Sequence, residues 1–225
     1  MEVLTELPYQ LDPEQVLSQI AGRQKKQFYA IVRGLLEQLE DTLSPRVLYK
    51  TSYIEQRYEN KLLVEGVTFN SRIMRVNLET VERVFPYIIT CGEAFEKFSS
   101  SREDLLESYY LDEIGNMVLR QIQEAFFAFL QEKYWLEQVG YMNPGSLDDW
   151  PLEEQKPLFS LFGEEQVKEL INVELKHFMM HPKKSLSGIA FASKTGFKSC
   201  LVCPRDNCPG RKAPFDESLF DDYFR

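Results

Sequence analysis

Histidine is nearly absent from this sequence. His177 and His181 are the two in 225 residues. They stand four residues apart, but Pro182 and the strand-like surroundings argue against a two-histidine metal helix. No glycine-rich phosphate loop occurs, and no Gly-x-Gly-x-x-Gly fingerprint, which removes the common nucleotide-binding signatures. No Gly-x-Ser-x-Gly elbow marks a hydrolase nucleophile. Basic residues are in deficit, 26 against 35 acidic ones, for a net charge of −9. A nucleic-acid partner, which needs a basic field, is therefore not expected. No apolar run approaches the length of a bilayer span. Met1-Glu2-Val3-Leu4-Thr5-Glu6 lacks the basic and apolar regions of a secretory signal. The expected location is the cytoplasm, with no membrane partner. Cysteine is scarce as well, at four residues, and a cytosolic chain of this size does not depend on disulfides.

What is present is sufficient for a core. Apolar residues make up 44% and charged residues 27%. Asp12-Pro13-Glu14-Gln15 reads as a helix start, with Asp12 as cap and Pro13 in the first turn. Val16, Leu17 and Ile20, then Phe28 to Leu39, keep helical spacing up to Ser44-Pro45, with a break expected near Gly22. Val47, Tyr49, Thr51 and Tyr53 then alternate as in a strand. Leu62-Leu63-Val64 and Val67-Thr68-Phe69 flank Glu65-Gly66 as short extended segments. Ser71 to Leu78 suits a short helix, and Phe85 to Thr90 a buried strand.

Ser101-Arg102-Glu103-Asp104 is a second capping signature, and it opens a long helix expected over residues 101 to 138. Val118, Ile122, Phe126 and Leu130 form one apolar face, while Met117, Phe127 and Ala128 lie opposite, so cover on more than one side is expected. Glu124 falls in the second group. It reads either as a partly exposed glutamate with a packed stem or as a polar group aimed at a ligand cleft. Met142 to Leu147 has loop chemistry around Pro144-Gly145. Short helices are expected near residues 148–162 and 164–171. Ser185 to Phe191 reads as a strand in which Gly188 permits a close approach. The fold class expected is α+β: a single domain with an antiparallel sheet packed on long helices. It divides into an N-terminal helical segment (1–44), an α+β domain (45–199) and a Cys-rich tail (200–225).

Several of these segments resemble the activation domain of cobalamin-dependent methionine synthase. Met142-Asn143-Pro144-Gly145 through Phe159 is similar to that family's Pro-Gly loop and following helix. Phe178-Met179-Met180-His181-Pro182-Lys183-Lys184-Ser185-Leu186-Ser187-Gly188 resembles its Met-x-Pro-x-x-Ser-x-Ser-Gly segment. Leu111 to Ala125 looks like its long helix, and Tyr87 to Gly92 like the strand end of short, stand-alone members. The resemblance covers residues 45 to 200. It implies S-adenosylmethionine as ligand, cobalamin held by a partner corrinoid protein or methyltransferase, and a redox protein as electron donor. The chain would serve reductive activation or methylation of the corrinoid, by positioning a methyl group. The alternatives are a non-enzymatic docking module or a metal-binding module.

Carried over residue by residue, the resemblance implies ligand contacts at Glu124, Asn143, Pro144, Gly145, Ser185, Ser187 and Gly188, with Glu124, Asn143, Gly145 and Ser187 expected to line one groove. Two positions depart from the family. Tyr141 stands where an arginine would grip the ligand carboxylate, a bidentate role tyrosine cannot fill. Ser146 stands where a tyrosine follows the glycine.

Cys200, Cys203 and Cys208 lie outside that pattern, with C-x2-C-x4-C spacing. A C-x2-C turn suits zinc or an iron–sulfur cluster, because both thiolates face one ion. Pro204 and Pro209 stiffen the loop, and Arg205, Arg211 and Lys212 offset thiolate charge. Cys91, His177, His181 and Asp206 are the candidates for a further ligand. Three reduced thiols without a metal are the alternative.

Overall fold

The strand Arg83–Thr90 (β6) is the axis of the structure, a computed structural model that describes residues 1–20, 25–39, 41–208 and 210–224. Along one edge β6 pairs with Ser185–Ser193 (β10). Along the other it pairs first with Arg46–Tyr49 (β2) and then with Ser52–Arg57 (β3). Pro86, which has no N–H to donate, sits between Tyr87, paired with Tyr49, and Val84, paired with Ser52. The proline thus stands where the partner strand changes. Strand Glu2–Leu4 (β1) extends the sheet beyond β2, and Lys61–Val64 (β4) and Val67–Asn70 (β5) extend it beyond β3. Gln138–Met142 (β7) closes the far edge on β10. Every one of these pairings is antiparallel.

Alternation along β6 sends side chains into two cores. Phe85, Tyr87 and Ile89 meet helices Pro13–Ile20 (α1), Lys25–Leu39 (α2) and Leu105–Tyr134 (α5), whose contributions include Leu17, Val32, Val118 and Phe126. Val84 and Ile88 meet Ile73, Leu158, Phe159 and Val167 from Arg72–Asn77 (α3), Gln155–Ser160 (α6) and Glu164–Ile171 (α7). The antiparallel α+β architecture expected from the sequence is therefore present.

Several local expectations hold for visible reasons. Asp12 accepts the N–H of Glu14 at 2.6 Å and so caps α1. Glu65 and Gly66, at φ 48° and 77°, turn the β4–β5 hairpin in the left-handed region that two-residue hairpins demand. Ser71 caps α3 by accepting from Met74 N at 2.9 Å. Gly22 and Pro209 lie outside the described residues, and so does any helix break at the former.

Other expectations need correction. The long helix does not run from 101 to 138. Ser101 ends a separate helix, Glu93–Ser100 (α4), and Asp104 is the cap of α5, accepting from Leu106 N (2.8 Å) and Glu107 N (3.0 Å). At the far end Trp135 turns into the left-handed region at φ 57°, and Gln138 already belongs to β7. Five residues, with Val139 and Tyr141 in one core and Met142 in the other, carry too little signal to mark a strand unless β10 lies beside them. The segment from Val47 to Tyr53 is two strands, not one, interrupted at Lys50-Thr51. The N-terminal segment adds β1 to its helices. Ala128 is exposed, although Met117 is buried and Phe127 half-buried. The tail ends in a helix, Glu217–Phe224 (α8), and Val202 and Tyr223 join the core behind β6 and β10. Among the described residues no helix is long and apolar enough to cross a membrane.

Candidate functional site

A cleft of about 510 Å³ opens where α5, β7 and the tail meet. Helical spacing brings Glu124, Phe127 and Gln131 to its rim at i, i+3 and i+7. Alternation along β7 turns Val139 and Tyr141 toward α5, so Tyr141 floors the cleft. The Tyr141 and Phe127 rings lie 4.8 Å apart, a contact that holds both in place. Lys198 and Lys212 complete the wall.

Lys212 couples to Cys200, as its charge suggested, and also enters the cleft. Its Nζ lies 5.3 Å over the Tyr141 ring. There it donates to Gln123 Oε1 at 2.6 Å. Burial lowers its pKa, while Glu124 and Cys200 pull the other way. Gln123, itself buried, passes the contact inward through Nε2 to the Tyr87 hydroxyl at 2.8 Å. Asn143 Nδ2 donates to the same hydroxyl at 2.8 Å and to Ser187 O at 2.7 Å. Burial pushes the pKa of Tyr87 up, and that of Tyr141 likewise, so both stay neutral phenols. Only three-dimensional pairing could reveal Gln123 and Tyr87, because nothing in their local pattern separates them from core residues.

The expected ligand positions distribute unevenly around this network. Glu124 is exposed and lines the cleft. Asn143 and Gly188 stand behind it, joined through Tyr87. A Cβ on Gly188 would lie 2.5 Å from Met142 O and 2.6 Å from both Asn143 Nδ2 and Tyr87 Oη. The close approach expected at this glycine is thus made by β7 and β6. Pro144 is buried, and Gly145, at φ 82°, completes the turn closed by Ser146 N to Asn143 O at 3.1 Å. That turn faces Leu152 and not the cleft. Ser187 offers its carbonyl to Asn143, but its side chain shares the parity of Ile189 and Phe191, on the opposite face of the sheet. Its buried Oγ has no hydrogen-bond partner among the described residues. Ser185 Oγ donates to Pro182 O at 2.7 Å and lies 3.0 Å from Thr90 Oγ1.

The cysteine loop is organised by an arginine. Arg211 donates to the carbonyls of Cys200 (3.1 Å), Cys203 (3.2 Å) and Ala213 (3.3 Å), and also to that of Arg205. Among the described residues no three His, Cys, Asp or Glu side chains are grouped to hold a metal ion. The zinc or iron–sulfur expectation at Cys200, Cys203 and Cys208 gains no support from this arrangement. Of the further ligand candidates, Cys91 is fully buried, and His177 sits in the turn between Glu174–Lys176 (β8) and Met179–His181 (β9).

A larger hollow, about 900 Å³, lies near Trp135, Tyr53 and Tyr223 and contains none of the expected site residues. The smaller cleft is the stronger candidate, because the buried polar network of Gln123, Tyr87 and Asn143 leads into it through Lys212.

No family model matches the sequence, and no curated protein does. Among solved structures, the chain is similar to the crystal structure of the MetH reactivation domain bound to AdoHcy. The TM-score is 0.62 at 14% identity, and the match covers 82% of this chain and 70% of that one. The similarity shows the fold: the mixed helix and curled antiparallel sheet described above.

Proposed function

We propose that this chain is an accessory protein for a corrinoid-dependent methyltransferase and that its cleft takes an S-adenosylmethionine-type ligand. One observation carries the reading. Glu124 and Lys212 place opposite charges around the aromatic floor of Tyr141, in a fold whose solved neighbour was crystallised with AdoHcy. An adenosyl amino acid carries an ammonium and a carboxylate on one carbon. Glu124 suits the first and Lys212, with Lys198 nearby, the second. The sequence lacks the family's arginine at Tyr141, and the tail supplies a cation over that same ring. The cleft volume lies within the range of small-molecule sites. S-adenosylmethionine, when bound, supplies an electrophilic methyl group, and the corrinoid belongs to a partner protein. This chain's share is to hold and orient the ligand.

A second reading, a docking module without a ligand, draws on the fact that Lys212 already bonds Gln123 inside the cleft. Equilibrium dialysis with labelled S-adenosylmethionine separates the two. Saturable binding, weakened about tenfold or more by Glu124→Gln and by Lys212→Ala, supports the ligand reading. Absence of binding by the unaltered chain removes it and leaves the docking module.

A further inference from the structure

Beside the Arg211 bonds, the tail that delivers Lys212 is anchored at its backbone by a sulfur. Ser199–Val202 forms a single 3-10 turn, and Cys203 N–H donates to Cys200 O at 3.4 Å. A turn closed in this way keeps its first and fourth Cα atoms within about 7 Å. Disulfides span Cα separations of roughly 4.4–6.8 Å. Both cysteines are half-buried and free, and Arg211 clamps their carbonyls, which leaves the side chains as the movable part. Cys200 Sγ accepts the backbone N–H of Lys212 at 3.3 Å. The same sulfur that can close onto Cys203 is therefore the one that anchors Lys212.

We infer that Cys200 and Cys203 are a reversible dithiol–disulfide site, and that its oxidation releases Lys212 from Gln123. Two thiols give up two protons and two electrons to a low-molecular-weight disulfide such as oxidised glutathione. One thiolate attacks the oxidant and expels one glutathione. The second then attacks the mixed disulfide and expels the other, leaving one S–S bond and two glutathione thiols. To bond Cys203, Cys200 Sγ must turn away from the Lys212 N–H, and the tail loses that contact beside the cleft. Cys91 takes no part, being fully buried with its S–H directed to Gly115 O at 3.7 Å. The sulfur chemistry and the movement of Lys212 stand without any ligand; a consequence for S-adenosylmethionine affinity rests on the function proposed above.

Trypsin makes the site readable, because it cuts after Lys198, Arg205 and Arg211. Cys200 and Cys203 fall in one peptide, residues 199–205, and Cys208 in the next, 206–211. The full chain is equilibrated with oxidised glutathione, blocked with iodoacetamide and digested without reductant. The expected product is peptide 199–205 unalkylated and lighter by two hydrogens. Acetylation of Lys212 by an amine-reactive ester, applied before digestion, is expected to rise severalfold in the oxidised protein and to return on reduction. Cys203→Ser abolishes both effects, while Cys208→Ser keeps both, which separates loss of the site from loss of the fold. Peptide 199–205 joined to 206–211, no oxidation at any glutathione ratio, or unchanged Lys212 labelling after oxidation would each overturn the inference. None of these readouts uses the adenosyl ligand, so failure of the ligand reading leaves them intact.

Discussion

Lys212 Nζ and Gln123 Oε1, 89 positions apart in the chain, meet at 2.6 Å and tie the C-terminal tail to the middle of α5. Behind them the contact continues through Tyr87 to Asn143 and the Ser187 carbonyl. Tyr87→Phe deletes the oxygen that receives two amide N–H groups in the interior. Each buried donor left unpaired costs about 1–3 kcal/mol. Urea denaturation is expected to show a loss of at least about 1 kcal/mol, with the slope unchanged. An unaltered midpoint would mean that the network contributes nothing to the fold.

Gly188 faces β7 and β6 too closely for any side chain. Its Cβ would meet a backbone oxygen at 2.5 Å, which a rotamer change cannot relieve. Gly188→Ala is expected to destabilise by about 1–3 kcal/mol, the usual range for overpacking. A thermal melt checks this. Gly34, with nothing within 4 Å of its Cβ position, is the control: Gly34→Ala in α2 is expected to stabilise slightly.

Cys91 gives the molecule an alkaline weakness. Burial pushes its thiol from 9.0 up to about 12. The folded protein then keeps a proton that the unfolded chain releases. Stability from this group is full below pH 9.0 and declines as pH rises toward 12. The upper bound is about 4 kcal/mol, at roughly 1.4 kcal/mol per unit. Tyr87 and Tyr141 act in the same direction, so the comparison is with Cys91→Ala. The variant is expected to lose less stability than the unaltered chain across that interval in pH-dependent denaturation. Equal slopes would remove Cys91 from the account.

Trp135 ends α5 in a conformation that costs a bulky residue about 1–2 kcal/mol, with its side chain 93% exposed. Trp135→Gly is expected to raise the unfolding free energy by up to about 1 kcal/mol. A lower stability in the variant would show that the indole makes contacts worth more than the strain.

Local chemistry made several elements legible before any fold was known. Asp12 caps its helix because a carboxylate beside free N–H groups needs no distant partner. Glu65-Gly66 parted two short extended segments because a glycine beside a polar residue breaks an apolar run. The apolar face of Val118, Ile122, Phe126 and Leu130 was periodic enough to announce α5. Strand β7 was not legible, since five residues acquire strand identity only from β10. The true cap of α5 was hidden because Ser101 and Asp104 offer similar side chains three positions apart, and the preceding helix α4 decided between them.

The candidate site divides along the same line. Glu124 was visible as a carboxylate on a helix flank with apolar neighbours, and Gly188 as a strand glycine with a packing reason. Lys212 was invisible as a cleft residue, because its role depends on a tail that returns across 89 positions to α5. The sequence by itself determined the Asp12 cap, the two extended segments flanking Glu65-Gly66, the apolar face of α5 and the clustering of three cysteines. Each of these follows from forces acting over a few residues. Tertiary structure alone decided which face Ser187 presents, what approaches Gly188, which cation reaches Tyr141, and that the cysteine loop is held by Arg211. Those outcomes depend on strand register and on hydrogen bonds between distant segments, whose partners no local pattern specifies.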